Sequence, residues 1–447
     1  MPSPRRDPWL LAAALFAAYT AFSVIRHLSL RTTGYDLGIF EQAVRGYAHL
    51  RAPVSELKGP GFHLLGDHFH PILVTIAPLY RLFPSPLTLL VVQAALLAVS
   101  AVPVTRLASE LCGRHGGLCA GLAYGLSWGL QQAVVFDFHE IAFAVPLIAR
   151  AVELLARGRD GAAAGWAMPL PLVKEDQALI VAAIGVYVFC RGRHRLGACL
   201  TAGAVAAGLL VVHVVIPEFN PGHVYPYASA TEAKANPIAQ FLTPLDTKGT
   251  LLLAVFMPTL FLGFRSPLTL LALPSLAARF WSTVPNHWET RFHYSAVLMP
   301  IVFVAALDGL RRLRASEAAR SRAAAPALLL AAVAITVAGR QPFGDPGPWR
   351  PSPGAVAALK AVPDGADVAA ANRLAPQLTG RCRVFMPHLS DAQPPEWFVM
   401  TETPTPYEAH VAWRLPRLGY RVVARGGGVV VLRFKGGRKS GAGARGP

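Results

Sequence analysis

Charge is scarce in this chain: Asp, Glu, Lys and Arg together make up 15% of its 447 residues. A soluble domain usually carries about a quarter charged residues, so a soluble enzyme of this length is excluded. Cysteine is scarcer still, five residues at 112, 119, 190, 199 and 382 with no CxxC or Cys/His spacing. Neither a disulfide framework nor a zinc module follows from them. No internal repeat of useful length is visible, which weighs against a transporter built from paired halves. No basic face interleaved with aromatics appears, so the net charge of +17 is not the footprint of a nucleic-acid partner.

Apolar residues are abundant, at 53% of the chain with a mean hydropathy of +0.41. This predicts a mainly α, polytopic membrane protein with about eleven transmembrane helices, at 8–28, 85–108, 116–135, 141–157, 161–173, 177–191, 195–216, 247–264, 266–281, 293–311 and 323–339. The segment 72–83 is too short to span, carries Pro78 and Arg81, and reads as interfacial or re-entrant. The basic N-terminus leads into an apolar run of about 20 residues, spanning length rather than that of a signal peptide, so it is read as a retained first helix.

Arginines sort the loops. Arg5, Arg6, Arg106, Arg114, Arg157, Arg159, Arg191, Arg193, Arg195, Arg265 and the run from Arg311 fall on one face, which the positive-inside rule makes cytoplasmic. The chain is therefore expected in the bacterial plasma (inner) membrane with its N-terminus cytoplasmic and its C-terminus extracytoplasmic. The expected organisation is a transmembrane domain over 1–340 with a first outer loop at 29–84, a Pro- and Gly-rich linker at 341–353, a small extracytoplasmic α/β domain at 354–434, and a disordered basic tail at 435–447. Within the α/β domain, NRLAPQL reads as a helix, and YRVVA and VVVLRF as a hairpin turning at Gly426–Gly428.

The outer loops collect the polar motifs. TTGYDLGIFEQAV contributes Tyr35, Asp36 and Glu41; an ionised Asp36 at a membrane boundary suits a general base or a cation ligand, while the competing reading makes it a helix cap. His63, Asp67 and His70 share one face if the segment is helical, with His68 beside it, and offer metal or phosphate ligands against a reading as solvated loop residues. FDFHE adds Asp137, His139 and Glu140, with capping by Asp137 as the alternative. Lys174, Glu175 and Asp176 interrupt an otherwise continuous apolar run, where charge is expensive and usually functional, against a plain turn. The last cluster is Asn286, His287, Glu289, Arg291, His293 and Tyr294, in which Arg291 suits a bidentate grip on phosphate unless the loop is merely solvated. Arg81 and Lys58 are further phosphate candidates.

The runs YDLGIFEQAV, GDHFHPILVTIAPLY, FDFHEIAFAVPL, VKED and HYSAVLMP resemble an uncharacterised family of predicted bacterial membrane proteins grouped with the GT-C glycosyltransferases. The likeness covers roughly residues 20 to 310 and extends weakly into VPDGADVAAANRLAPQL. It implies a transferase that takes a sugar from a polyprenyl-phosphate donor, with an acidic residue of the first outer loop at the active site, the place held by Asp36. GT-C enzymes often pair two acidic residues there, whereas this chain has Asp36-Leu37. The superfamily contains cation-dependent and cation-independent members, so Mg or Mn stays open, with Asp36, Asp67 and His68 as its ligands.

The expected function is thus hexosyl or pentosyl transfer in the cell envelope from a lipid donor to an unidentified extracytoplasmic acceptor. Asp36, Asp67 and His68 form the catalytic group, and Lys174, Arg291, His287 and Arg81 receive the phosphate. The alternatives are a transporter or lipid flippase, whose polar residues belong near the midplane, and a non-catalytic assembly or sensor protein.

Overall fold

Proline, glycine and the sparse polar residues break the apolar segments into short helices, and this shapes the whole membrane part. The computed structural model describes residues 6–233, 236–315, 343–344, 347–348, 352–387 and 395–435. The helices are α1 (Asp7–Leu28), α2 (Ile39–Ala48), α3 (Ala77–Leu82), α4 (Pro86–Val99), α5 (Ala101–Gly125), α6 (Trp128–Val135), α7 (Ala144–Ala156), α8 (Asp160–Ala167), α9 (Ala178–Cys190), α10 (His194–Leu210), α11 (Ile216–Phe219), α12 (Pro237–Leu242), α13 (Leu245–Phe256), α14 (Leu273–Trp281), α15 (Leu298–Ala315), α16 (Pro353–Lys360) and α17 (Pro406–Arg414).

Three helical stretches among the described residues are long and apolar enough to cross a membrane: Asp7–Leu28, Pro86–Gly125 and His194–Phe219. Other expected spans are interrupted. The 247–264 segment is helical only to Phe256, because Pro258 and the left-handed Leu260 and Phe261 stop it. The segment 266–281 begins as a 3-10 turn over Pro267–Ala272 before α14. The expected last span at 323–339, nearly all of the linker and the tail beyond residue 435 lie outside the described residues.

Within α5 the chain doubles back at Gly113, whose φ of 74° favours glycine. The two arms then pack so closely that a Cβ at Gly121 would stand 2.1 Å from Thr105 Oγ1 and 2.6 Å from Leu11 Cδ2. Two apolar cores result. The larger joins α1, α4 to α10 and α13 to α15 around residues such as Tyr19, Tyr124, Ile148 and Val302. The second is built from α2, α3 and residues 57–90 together with the C-terminal region, Val368, Val384, Val399 and Val431 among them.

The C-terminal region carries a five-stranded sheet in the order β2-β1-β3-β5-β4. Its strands are β1 (Asp367–Ala370), β2 (Arg383–Phe385), β3 (Trp397–Thr401), β4 (Tyr420–Gly426) and β5 (Val429–Phe434). β1 runs parallel to β2 and β3, whereas β5 is antiparallel to β3 and β4. The hairpin turns at Gly427 and Gly428, as the glycine run predicts. NRLAPQL is not a helix: only a 3-10 turn at Ala375–Gln377 forms, which leaves Asn372 in a loop.

Candidate active site

The segment after α1 descends into a wide helical turn, Gly34–Gly38, and passes straight into α2. Asp36 lies inside that turn, half-buried, so it does not cap α2: the capping position is Gly38 and no side chain fills it. Among the described residues the Asp36 carboxylate has no hydrogen bond or ion pair. It faces a cavity of about 1480 Å³, open mouth included, which collects the polar loops that the sequence scatters.

Of the sequence-predicted residues, Tyr35, Asp36, Asp67, His68, His139, Lys174, Glu175, Asp176, His287, His293 and Tyr294 line this cavity, together with Lys58. Glu140 stands directly behind the wall, fully buried, 2.9 Å from His139 Nδ1 and 3.3 Å from Lys174 Nζ. Burial raises the Glu140 carboxyl, but His139 and Lys174 outweigh it and hold the group well below its ordinary value. Lys174 mirrors this: burial lowers its ammonium pKa, and Glu140, Asp176 and Glu175 more than restore it, to well above the ordinary value. Both groups are therefore charged at neutral pH. Burial pushes the Asp36 carboxyl up, with Glu140 adding to the rise and His139, Lys174 and Lys58 opposing it.

Residues of the first loop divide between the cavity and the core. Asp67 binds Lys58 Nζ at 2.9 Å and accepts a hydrogen bond from the Tyr227 hydroxyl at 2.9 Å. His68 Nδ1 meets Glu175 Oε1 at 2.6 Å, the Phe69 amide donates to Glu175 Oε2 at 3.0 Å, and Tyr227 stacks on the His68 ring at 4.3 Å between centroids. Although burial raises the Glu175 carboxyl, His68 and Lys174 bring it down to about 2. The single helical face expected for His63, Asp67 and His70 does not form, because only a 3-10 turn at Leu64–Gly66 precedes Pro71. His63 stacks on Phe219 away from the cavity, and His70 is buried edge-on to Phe40. Glu41 is fully buried against the Tyr80 hydroxyl, outside the cavity.

Two phosphate candidates are displaced. Arg81 is exposed on α3. Arg291 is exposed beside the left-handed Phe292 and pairs with Glu289 at 2.7 Å, so its charge points to solvent. Asn286 is exposed as well. In their place the structure brings in Arg279 of α14, which is buried and lines the cavity. It donates to the carbonyls of His287 at 2.7 Å and Glu289 at 3.2 Å and to Ser295 Oγ at 3.0 Å, with no carboxylate among these partners. A guanidinium has five N–H donors, so two remain for a ligand. The signal for Arg279 was a lone arginine in the apolar run ALPSLAARFW, an expensive placement. Tyr225 and Tyr227 were also missed; their loop gave no periodic pattern to place them.

Asp137 lies off the cavity and acts on the loop that carries Asp36. Its Oδ2 accepts from the Thr33 amide at 2.9 Å and from the Thr33 hydroxyl at 3.2 Å. Burial pushes the Asp137 carboxyl up to about 7, against the lowering effects of Arg26 and Thr33.

The donor set offered for a cation does not fit one. Asp67 is neutralised by Lys58 and His68 is engaged by Glu175. Among the described residues no group of three or more His, Cys, Asp or Glu is arranged to hold a metal ion.

Residues 26–430 match the profile of a family described as "Predicted membrane protein (DUF2079)", in agreement with the family resemblance of the sequence motifs. Solved structures share the fold, two of them of one protein. ArnT from Cupriavidus metallidurans bound to undecaprenyl phosphate superposes with a TM-score of 0.57 at 16% identity, covering 94% of this chain and 97% of that one. The apo state of the same protein gives 0.54 with the same identity and coverage. At this identity the likeness is one of fold. No curated protein sequence matches the chain.

Proposed function

The chain belongs to the DUF2079 family of predicted membrane proteins, and from that premise we propose a GT-C-like glycosyltransferase that moves a sugar from a polyprenyl-phosphate donor to an extracytoplasmic hydroxyl. One observation carries the reading. A single cavity holds a carboxylate without an ion-pair partner, Asp36, and a guanidinium without a carboxylate partner, Arg279, which lies over the Tyr294 ring at 5.9 Å from its centroid. Opposite uncompensated charges are what a transfer from a phosphate leaving group requires: one withdraws a proton from the nucleophile and the other accepts the charge that departs.

In this reaction Asp36 takes the proton of the acceptor hydroxyl. The acceptor oxygen then bonds to the anomeric carbon, and the carbon–oxygen bond to phosphate breaks with its electron pair leaving on the polyprenyl phosphate. The two remaining donors of Arg279 receive that phosphate, within the field of Lys174 and Lys58, whose charges are partly offset by Glu140 and Asp67. The raised pKa of Asp36 makes it a stronger base than a free carboxylate. Tyr225, Tyr227 and Phe136 supply aromatic walls for the sugar. His68, its ring fixed by Glu175, lines the same cavity.

The ArnT structure with undecaprenyl phosphate supports a lipid-phosphate donor for a cavity in the same fold. In this reading the apolar segments span the inner membrane, the Arg-rich turns face the cytoplasm, and the sheet lies outside. The test is donor turnover by the full-length protein in vesicles, followed as release of polyprenyl phosphate by mass spectrometry across hexosyl and pentosyl donors. Turnover of at least one donor is expected. Folded protein that consumes none of them contradicts the reading.

A further inference from the structure

The loop carrying Asp36 is held from outside the membrane part. Asn372 follows strand β1 and grips two consecutive backbone amides just before Asp36: its carbonyl accepts from Gly34 N at 2.7 Å and its Oδ1 accepts from Tyr35 N at 3.0 Å. The approach is close enough that a Cβ on Gly34 would stand 3.0 Å from Ala375 Cβ and 3.2 Å from Asn372 Oδ1. Asn372 is fixed in turn, because its own amide donates to Glu408 Oε1 at 3.2 Å. Glu408 is anchored by the capping box that opens α17, its other oxygen accepting from the Thr405 amide at 3.0 Å. From sheet to cavity the chain of contacts reads Glu408, Asn372, Gly34 and Tyr35, then Asp36.

We propose that Asn372 is a positioning residue of the active site, and that the C-terminal sheet sets the direction in which Asp36 faces the cavity. The proposal rests on the transferase reading for the role of Asp36. The hydrogen bonds themselves do not depend on it. A base acts only within about hydrogen-bond reach of its proton, and a displacement of about 1 Å costs on the order of a hundredfold in rate. Two amides anchored immediately ahead of Asp36 control a displacement of that size. Asp137 secures Thr33, the residue before the two gripped amides, so removing Asn372 frees the stretch from Gly34 onward rather than the whole loop.

The experiment uses the full-length protein and two substitutions. Asn372→Ala removes the Oδ1 acceptor, and Asn372→Asp keeps an acceptor oxygen in the same place. Hydrogen–deuterium exchange over residues 33–38 reads the clamp directly, and steady-state transfer reads its consequence. Expected for Asn372→Ala is exchange at least about tenfold faster in that segment, unchanged exchange in α4 and β5, and kcat lower by about ten- to a hundredfold with donor KM within about twofold. Asn372→Asp recovers most of both. Unchanged exchange in Asn372→Ala overturns the clamp, and faster exchange with unchanged kcat overturns the positioning role. Absence of turnover in the wild-type protein counts against the transferase reading, and exchange then decides the clamp alone.

Discussion

At the scale of the residue, the site depends on which charges are compensated. Lys174 at the cavity wall pairs with Glu140 behind it, and Lys58 pairs with Asp67, both of which line the cavity. Asp36 and Arg279 have no such ion-pair partner among the described residues. Breaking the first pair is therefore a stability experiment: Lys174→Met leaves Glu140 buried with His139 and His70 alone to offset it, and should cost about 3 kcal/mol in denaturant unfolding. Glu140→Gln combined with Lys174→Met should recover most of that loss, which a double-mutant cycle measures. Asp36 was legible in the sequence because a lone aspartate directly after a spanning helix invites explanation. Arg279 was not, since an arginine near the end of a hydrophobic run also fits the snorkelling of a helix terminus. Arg291 misled in the opposite sense: its neighbours His287 and His293 do reach the cavity, but the chain reverses at Phe292 and turns Arg291 outward.

At the scale of the element, short loops do what long helices do elsewhere. The first flank of the turn at Gly34–Gly38 is held twice, at Thr33 by Asp137 and at Gly34 and Tyr35 by Asn372. Asp137 makes the first flank sensitive to pH. Its folded carboxyl sits at about 7 against an ordinary value of 3.8, so between these values the folded state binds more protons than the unfolded chain, and this group's contribution to stability falls as pH rises. The opposite trend comes from His287, which burial lowers to about 4. Comparing wild type with Asp137→Asn isolates the first effect: the stability of wild type relative to the variant should decline from about pH 4 to pH 7 and then level, read from unfolding midpoints across that range. The polar motifs were legible as loop residues, but not their pairing. His63, Asp67 and His70 looked like one helical face, and Gly66 with Pro71 made a turn instead.

At the scale of the whole molecule, the C-terminal sheet and the chain between α1 and α4 share one apolar core. The strands were visible in the sequence as runs of Val and Phe closed by a glycine turn. Their docking was not, because much of it goes through backbone carbonyls that any residue supplies. Arg45 donates to the carbonyls of Thr379 at 2.9 Å and Cys382 at 3.0 Å, and Gln42 to that of Val384 at 2.9 Å. The sheet, expected as part of a small α/β domain at 354–434, is thus seated on α2, the helix that continues from the turn carrying Asp36.

The central claim is that Asp36 acts on the acceptor hydroxyl and Arg279 on the donor phosphate, and steady-state transfer in vesicles with Asp36→Asn and Arg279→Lys tests it most directly. Asp36→Asn should lower kcat by about a hundredfold or more with little change in donor KM. Arg279→Lys, which keeps the charge but loses the planar fork, should raise donor KM by about tenfold. The acid limb of the wild-type kcat profile should also lie above the ordinary aspartate range, as the raised Asp36 carboxyl requires, and vanish in Asp36→Asn. Folded Asp36→Asn protein with wild-type turnover would contradict the account.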